Sequence, residues 1–459
     1  MQPEPKPLRR WLLEAGSRPE RSLHAPGLSL RVDDLRDTTR LASLRGALAG
    51  CSVLIKTETQ LAAALALVDL DGLARRVVLA PPDLKPSDLP AIMVGAGIDA
   101  VVADGDHPAL DGNLLLAVPG SAAPLRDSGD IRDTEWVLLT SGTTGPPKMV
   151  VHSRAGLIGA IDPAASPPVW GTFYDIRRYG GLQILLRALI GGGSLVLSQV
   201  GEPPADHLAR LAAAGVTHLS GTPSHWRRVL MLPEASLIAP RVVRLSGEIA
   251  DQAVLDSLKR AYPEAAVGHA YASTEAGVGF EVTDGREGFP ASFLDPGRGV
   301  EMKVEDGSLR IRSTRTASRY VGSDAAPLTD ADGFVDTDDL VERRGDRLYF
   351  VGRRSGIINV GGLKVHPEEV EGVINRHAGV RMSLVKARAN PITGAIVVAD
   401  VVPEEPFPAE SIASSQAALK AEILELCRAT LPPHKVPVLV RFTESLAVTP
   451  AGKLARHHA

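Results

Sequence analysis

Short apolar runs of strand length alternate along the chain with longer Ala/Leu-rich runs of helical spacing. Leu61 to Leu70 is a helical run, and Arg76-Val77-Val78-Leu79 is an apolar strand that stops at Pro81-Pro82. Residues 87–98 read as another helix and Asp99 to Ala103 as another strand. The alternation resumes with a strand from Ser194 to Val200, a helix from Ala205 to Ala214 and a strand from Val216 to Ser220. A helix near 223–231, a strand from Val242 to Leu245, a helix over 250–261 and a strand from Val267 to Tyr271 complete it. This order predicts βα units around a parallel sheet. Polar ligands of such sheets lie beyond the carboxyl ends of the strands, where the loops gather.

From about residue 296 the texture changes. Leu309-Arg310-Ile311-Arg312 and Leu348 to Val351 are short strands between Gly and Asp turns, which predicts an antiparallel region. Beyond Gly352 the chain is mixed again. Pro367 is a favourable first helical residue, with Glu368, Glu369 and Glu371 at the positive end of the helix dipole. A helix near 414–428 puts Leu419, Ile423 and Leu426 on one face, Pro432-Pro433 ends it, and Val436 to Phe442 is a last strand. The expectation is a multi-domain α/β protein. Residues 1–353 form a large domain of mixed and parallel sheets, and residues 354–459 a smaller α+β domain.

Composition narrows the classes. The chain has 459 residues, 44% hydrophobic and 23% charged, with Lys+Arg 50 against Asp+Glu 54. That describes an ordinary globular protein and excludes wholesale disorder, and no basic tract suggests a nucleic-acid binder. Only Cys51 and Cys427 are present, too few for a disulfide framework or a zinc ligand set, and they read as reduced core thiols. His218, His225 and His269 are scattered without ligand spacing and read as structural. The first twenty residues carry no apolar core of a secretory signal, and no apolar run approaches a membrane span. A cytoplasmic enzyme is expected.

The chemistry concentrates first in residues 138–150. An apolar strand ends in Thr140, Ser141, Gly142, Thr143, Thr144 and Gly145, then Pro146, Pro147 and Lys148, followed by a stretch read as helix. Glycines let backbone N–H groups approach an anion, the hydroxyls add donors, and Lys148 adds charge. A Walker loop would place Lys directly after its second Gly with Ser or Thr next. Here two prolines intervene and Met149 follows.

This segment resembles the phosphate-binding signature of the adenylate-forming superfamily, which holds acyl-CoA synthetases, peptide-synthetase adenylation domains and luciferases. Four further segments resemble that family in order and approximate spacing. They are Tyr271-Ala-Ser-Thr-Glu-Ala-Gly277, Thr337-Asp-Asp-Leu340, Gly352-Arg353 with Gly361-Gly362 and Pro367 to Glu371, and Pro450-Ala-Gly-Lys-Leu-Ala-Arg456. The resemblance runs from 136 to 456, about 70% of the chain. It implies that a carboxylate attacks the α-phosphate of ATP, giving an acyl-adenylate and pyrophosphate, and that coenzyme A then takes the acyl group. Thr274 would contact the α-phosphate and Glu275 would hold Mg2+. Ser246-Gly247-Glu248 resembles the adenine-side loop, and Tyr271 would stack on adenine unless it is a core residue. Asp339 would accept the ribose hydroxyls beside Arg353. Gly361 and Gly362 would admit a pantetheine arm, and Lys453 would be the catalytic lysine of a mobile C-terminal lid.

The acyl pocket is less legible. Taking Gly192 as the family's glycine after its pocket helix puts Tyr179 in the pocket. Amino-acid-activating relatives place Asp there, so a free α-amino acid is disfavoured. Arg177 and Arg178 read as a solvated face rather than a second acid-binding pair. The chain departs from the family pattern at Ala272, at Asp338, and at Ser355 and Gly356 in the hinge, and its first 130 residues are short for the family. Two rivals stand beside a carboxylic acid:CoA ligase. One is a stand-alone enzyme that loads a carrier-protein thiol, the other a non-catalytic nucleotide-binding relative. Lys148, Glu275, Asp339, Arg353 and Lys453 together argue against the second.

Overall fold

The computed structural model describes residues 6–14, 20–104, 115–117, 120–125, 131–140, 147–159, 161, 166–297, 299–322, 326–391, 393–449 and 452–456. Ser141, Gly142, Thr143, Thr144 and Gly145 lie outside the described residues, so their expected role stays a reading of the sequence.

Two large sheets and a smaller one build residues 22–353. The first is ordered Gly277–Val282, Ala266–Ser273, Val242–Ser246, His218–Gly221, Val169–Thr172, Ser194–Val196, Ser22–Ala25, Leu28–Arg31. Its six inner strands run parallel and both edges are antiparallel. The second runs Arg319–Tyr320, Lys148–His152, Glu135–Thr140, Arg76–Leu79, Ser52–Ile55, Ala100–Val102, Leu115–Ala117. The third, antiparallel throughout, holds Val335–Arg344 and Arg347–Arg353. Strands such as Ser52–Ile55 are buried at every position, as covered parallel sheets require.

One expectation fails here. Residues after Lys148 form the strand Lys148–His152, antiparallel to Glu135–Thr140, with Lys148 opposite Thr140. The run Met149-Val150-Val151 favours extended backbone, and the true helix, Arg154–Ile158, starts only after the Ser153 cap. Lys148 thus opens a strand and not a helix.

The helix Tyr179–Gly191 packs into the main core and ends at Gly192, whose φ of 90° closes it in the left-handed region. Beyond Arg353, one 3-10 turn (Arg354–Gly356) leads into the hairpin Ile358–Val360 and Leu363–Val365. A three-stranded sheet of Val380–Asn390, Gly394–Pro403 and Leu439–Phe442 follows, covered by Pro367–Ile374 and Ile412–Thr430. This part has its own core, which includes Val370, Ile374, Val401, Ile423 and Cys427.

Candidate active site

The first sheet delivers three segments to one end. Val242–Ser246 runs into Gly247, with φ of 86°, and Glu248. The Tyr174 hydroxyl donates to the Ser246 carbonyl at 2.9 Å and lies 3.0 Å from Ser246 Oγ, which anchors that loop. The antiparallel pair Ala266–Ser273 and Gly277–Val282 is joined by a tight turn carrying Thr274 and Glu275, so the pair is a strand turn and not a helix start. Gly277 is required there: its φ is 75°, and a Cβ would lie 2.3 Å from the Arg315 carbonyl oxygen.

Glu275 belongs to a small polar group with Lys148 and Tyr320. The Tyr320 hydroxyl lies 3.5 Å from Glu275 Oε1, and Lys148 Nζ sits 5.4 Å from the Tyr320 ring centre. Burial and then Glu275 raise the Tyr320 hydroxyl to about 12. Tyr320 carries no motif signal in the sequence. It arrives because Arg319–Tyr320 pairs with Lys148–His152. Mg2+ takes one or two carboxylates with phosphate oxygens. Glu275, half-buried with one long contact, fits that need.

The third sheet supplies the Asp339 group. Asp339 and Arg353 are cross-strand partners, and Arg353 Nε donates to Asp339 Oδ1 at 3.0 Å. The other carboxylate oxygen accepts from the Tyr271 hydroxyl at 2.6 Å. The Tyr271 ring stacks on Phe280 and Phe350 at 5.6 and 5.2 Å. Burial and Asp339 together hold its hydroxyl far above the ordinary range. Asp338, standing where the family motif has Gly, adopts that glycine's left-handed backbone with φ of 61°. Its carboxylate accepts from the Ser355 N–H at 3.3 Å, two residues past Arg353.

The C-terminal loop closes onto these segments. The Gly452 carbonyl accepts from the Thr222 hydroxyl at 2.6 Å, and the Leu454 N–H donates to Glu248 Oε1 at 2.9 Å. Lys453 lies between them, with Cε 3.4 Å and Nζ 3.9 Å from where a Cβ on Gly247 would stand. Its side chain still reaches solvent, yet the surrounding protein strips much of its water. That desolvation, then Arg353, lowers the ammonium pKa, while Glu248 and Asp339 oppose the shift. Arg456 ties the loop to its own domain through Glu371, at 2.9 and 2.7 Å. Asn375 to Asp251 at 3.2 Å and Arg376 to Glu287 at 3.6 Å add contacts between the two parts.

Thr222, the loop after Val242–Ser246, the Asp339–Arg353 pair and the loop carrying Lys453 are brought together from segments as much as 230 residues apart. The sequence profile of AMP-binding enzymes matches residues 47–316, and that of the AMP-binding enzyme C-terminal domain matches 369–453. This chain is an AMP-binding enzyme of the adenylate-forming superfamily. It is 26% identical over 353 residues to 2-succinylbenzoate–CoA ligase of Listeria monocytogenes, covering 73% of this chain and 72% of that one. It is 28% identical over 398 residues to isonitrile lipopeptide synthase of Mycobacterium tuberculosis, covering 79% of this chain but 15% of that one. In fold it resembles an anthranilate CoA ligase with anthranoyl-AMP, with a TM-score of 0.80, 17% identity, and coverage of 98% and 96%.

Other expectations for this AMP-binding enzyme meet different surroundings. Arg177 is not on a solvated face. It is buried, bonded twice to Asp175 at 2.8 and 2.6 Å, and reaches the Thr57 carbonyl. Arg178 pairs with Asp83. Tyr179 is buried at the start of its helix, its ring 5.5 Å from His152. Neither ring nitrogen of the enclosed His152 completes a well-aligned bond, although the Thr274 backbone lies close enough to favour its cation. Gly361 and Gly362 form a two-residue hairpin turn with φ of 60° and 87°, a reason for glycine independent of any channel. His218 packs on Trp170, His225 takes part in a helix cap, and His269 bonds the Arg286 carbonyl. Among the described residues no helix is long and apolar enough to cross a membrane.

Proposed function

We propose that the protein joins a carboxylic acid to a thiol in two steps, with residues 1–353 as the adenylating domain and 354–459 as the lid. In the first, a carboxylate oxygen attacks the α-phosphorus of ATP and pyrophosphate leaves. In the second, the thiol of coenzyme A attacks the acyl carbon and AMP leaves. The observation that carries this reading is the seat of Lys453 beside Gly247 at the end of the first sheet.

Both reactants of the first step are anions, so the main demand is electrostatic. Lys453 supplies a compact cation where carboxylate and α-phosphate would meet. Lys148 serves the far phosphates from the hairpin, and Thr274 offers a hydroxyl to the α-phosphate. Asp339, held by Tyr271 and Arg353, presents oxygens to the ribose hydroxyls. Ser246 and Gly247 line the adenine side, whereas Tyr271, its ring stacked on Phe280 and Phe350, is the core residue of the two readings and reaches the site through its hydroxyl on Asp339. Mg2+, held by Glu275, would offset phosphate charge. Tyr179 closes the acyl pocket without a carboxylate to pair an ammonium, which favours acyl or aryl acids over free α-amino acids.

A carrier-protein thiol is the second acceptor reading, supported by the similarity to a lipopeptide synthase. The test is an acid panel with ATP and Mg2+, with and without coenzyme A. Acid-dependent AMP and pyrophosphate, with thioester only when coenzyme A is present, are expected. ADP as product would overturn the reaction, and α-amino acids as best substrates would overturn the pocket assignment.

A further inference from the structure

We propose that Glu248 and Thr222 form a latch that positions Lys453 for the adenylation step, so that Glu248 acts through the lysine loop and not as a nucleotide ligand. The proposal rests on the two-step reading above.

The carboxylate of Glu248 is already committed on both oxygens. Oε1 accepts the Leu454 N–H at 2.9 Å and the Ser224 hydroxyl at 3.0 Å, and Oε2 accepts the Ser224 N–H at 2.9 Å. Its negative charge would also repel a triphosphate, while it suits backbone donors. Thr222 holds the other side. Its hydroxyl donates to the Gly452 carbonyl at 2.6 Å and accepts from the His225 N–H at 3.0 Å. The residues on either side of Lys453 are thus pinned to the large domain by their backbones. Lys453 Nζ itself makes no hydrogen bond or ion pair among the described residues, so its place beside Gly247 rests on the clamp on its two neighbours together with the longer-range pull of Glu248 and Asp339. The ties of Arg456 to Glu371 and Glu368 lie within the lid and travel with it. Opening the lid therefore breaks the two bonds to Glu248 and Thr222, along with the Asn375–Asp251 and Arg376–Glu287 contacts, and only the first two bear on the lysine loop. They serve the step that needs Lys453 near Gly247 and are dispensable once the lid has turned.

The test measures the half-reactions separately on the full-length protein. Pyrophosphate release without thiol reports adenylation, and thioester formation from supplied acyl-adenylate reports the second step. Glu248→Ala should lower the adenylation kcat roughly 10- to 100-fold, the range of a lost charge-assisted bond. KM for ATP and the second step should stay near wild type. Glu248→Gln keeps a carbonyl acceptor for the Leu454 N–H and should recover most of the rate. Thr222→Val, which attacks the clamp from its other side and leaves Glu248 intact, should show the same split. A raised KM for ATP with unchanged kcat would make Glu248 a nucleotide ligand and overturn the latch. Equal losses in both half-reactions for both variants would also overturn it. A wild-type protein that forms no acyl-adenylate from any acid would overturn the two-step reading itself, before the variants are compared.

Discussion

Gly452→Ala is the most demanding perturbation of the closed arrangement, because a single methyl group meets two obstacles. Gly452 has φ of 73°, a region that costs a non-glycine residue about 1–2 kcal/mol. The new Cβ would stand 1.7 Å from His225 Cε1 and 2.0 Å from Nε2. The ring cannot withdraw, since it packs on Phe173 at 5.6 Å and on Tyr174 at 5.9 Å, and its Nδ1 accepts from the Thr222 N–H. The loop must leave instead. It then forfeits a neutral bond to Thr222, worth about 1 kcal/mol, and a charged one to Glu248, worth about 1.5–3 kcal/mol. The closed state then loses on the order of 2.5–4 kcal/mol, or roughly 10²- to 10³-fold in adenylation rate. Pyrophosphate release in the absence of thiol is the assay. Thioester formation from supplied acyl-adenylate, expected near normal, excludes misfolding as the cause. Adenylation within a few-fold of wild type would refute the argument that this glycine seats the lysine loop.

Lys453→Ala should depress adenylation by roughly 10²-fold or more, through lost charge stabilisation, yet convert supplied acyl-adenylate to thioester; unchanged pyrophosphate release would return Lys453 to an ordinary surface lysine. Tyr271→Phe removes one of the two donors that fix Asp339 and should raise KM for ATP several-fold, read from initial rates against ATP concentration. Gly361→Asn respects the left-handed turn, which Asn tolerates, while adding a side chain where the family resemblance places the pantetheine arm; it should slow thioester formation alone, and an unaffected second step would reduce the glycines to turn residues. Finally, burial lowers His152 to about 4 and His225 to about 3, so both stay neutral when folded. Between about pH 6.5 and these values only the unfolded chain gains the protons, so stability falls as pH falls, by about 2 kcal/mol per histidine from pH 7 to pH 5. Denaturant titrations at the two pH values check this, and an unchanged unfolding free energy would refute it.

Much of the architecture was legible because its signals are local. The parallel sheets follow from apolar strands such as Arg76–Leu79 alternating with runs such as Gln60–Leu70, and Pro367 marks a helix start. The hairpin at Lys148 was missed because a phosphate loop usually precedes a helix in parallel α/β sheets, and four β-branched or polar residues after Lys148 say too little against that. The site was legible where a motif holds its own chemistry, as at Asp339 and Arg353, which prove to be cross-strand neighbours. It was illegible where long-range packing brings a residue in. Tyr320 reaches Glu275 across 45 positions, and Thr222 reaches Gly452 across 230. Arg177 shows the same limit: the partner that buries it, Asp175, is only two residues away, but nothing in the local sequence says that this turn faces inward.

On the proposed reading of residues 354–459 as a lid, closure and substrate binding belong together. With its loop seated in this way Lys453 still reaches solvent, but partial desolvation and Arg353 both work against its charge. Glu248 and Asp339 compensate in part, but Glu248 already accepts from Ser224 and Leu454, and Asp339 from Tyr271 and Arg353. An α-phosphate and a carboxylate entering beside the ammonium supply the missing negative charge. Each anion thus binds the closed state more tightly than the open one, and by linkage each makes closure easier for the other. Once pyrophosphate has left and the carboxylate has become the acyl half of a mixed anhydride, the carboxylate's charge is gone and the α-phosphate keeps a single negative charge. The cation is then again poorly matched to its site, and the two backbone bonds at Gly452 and Leu454 are what remains to hold the loop. A lid that must turn for the second step is best held by an attraction that the first step itself removes.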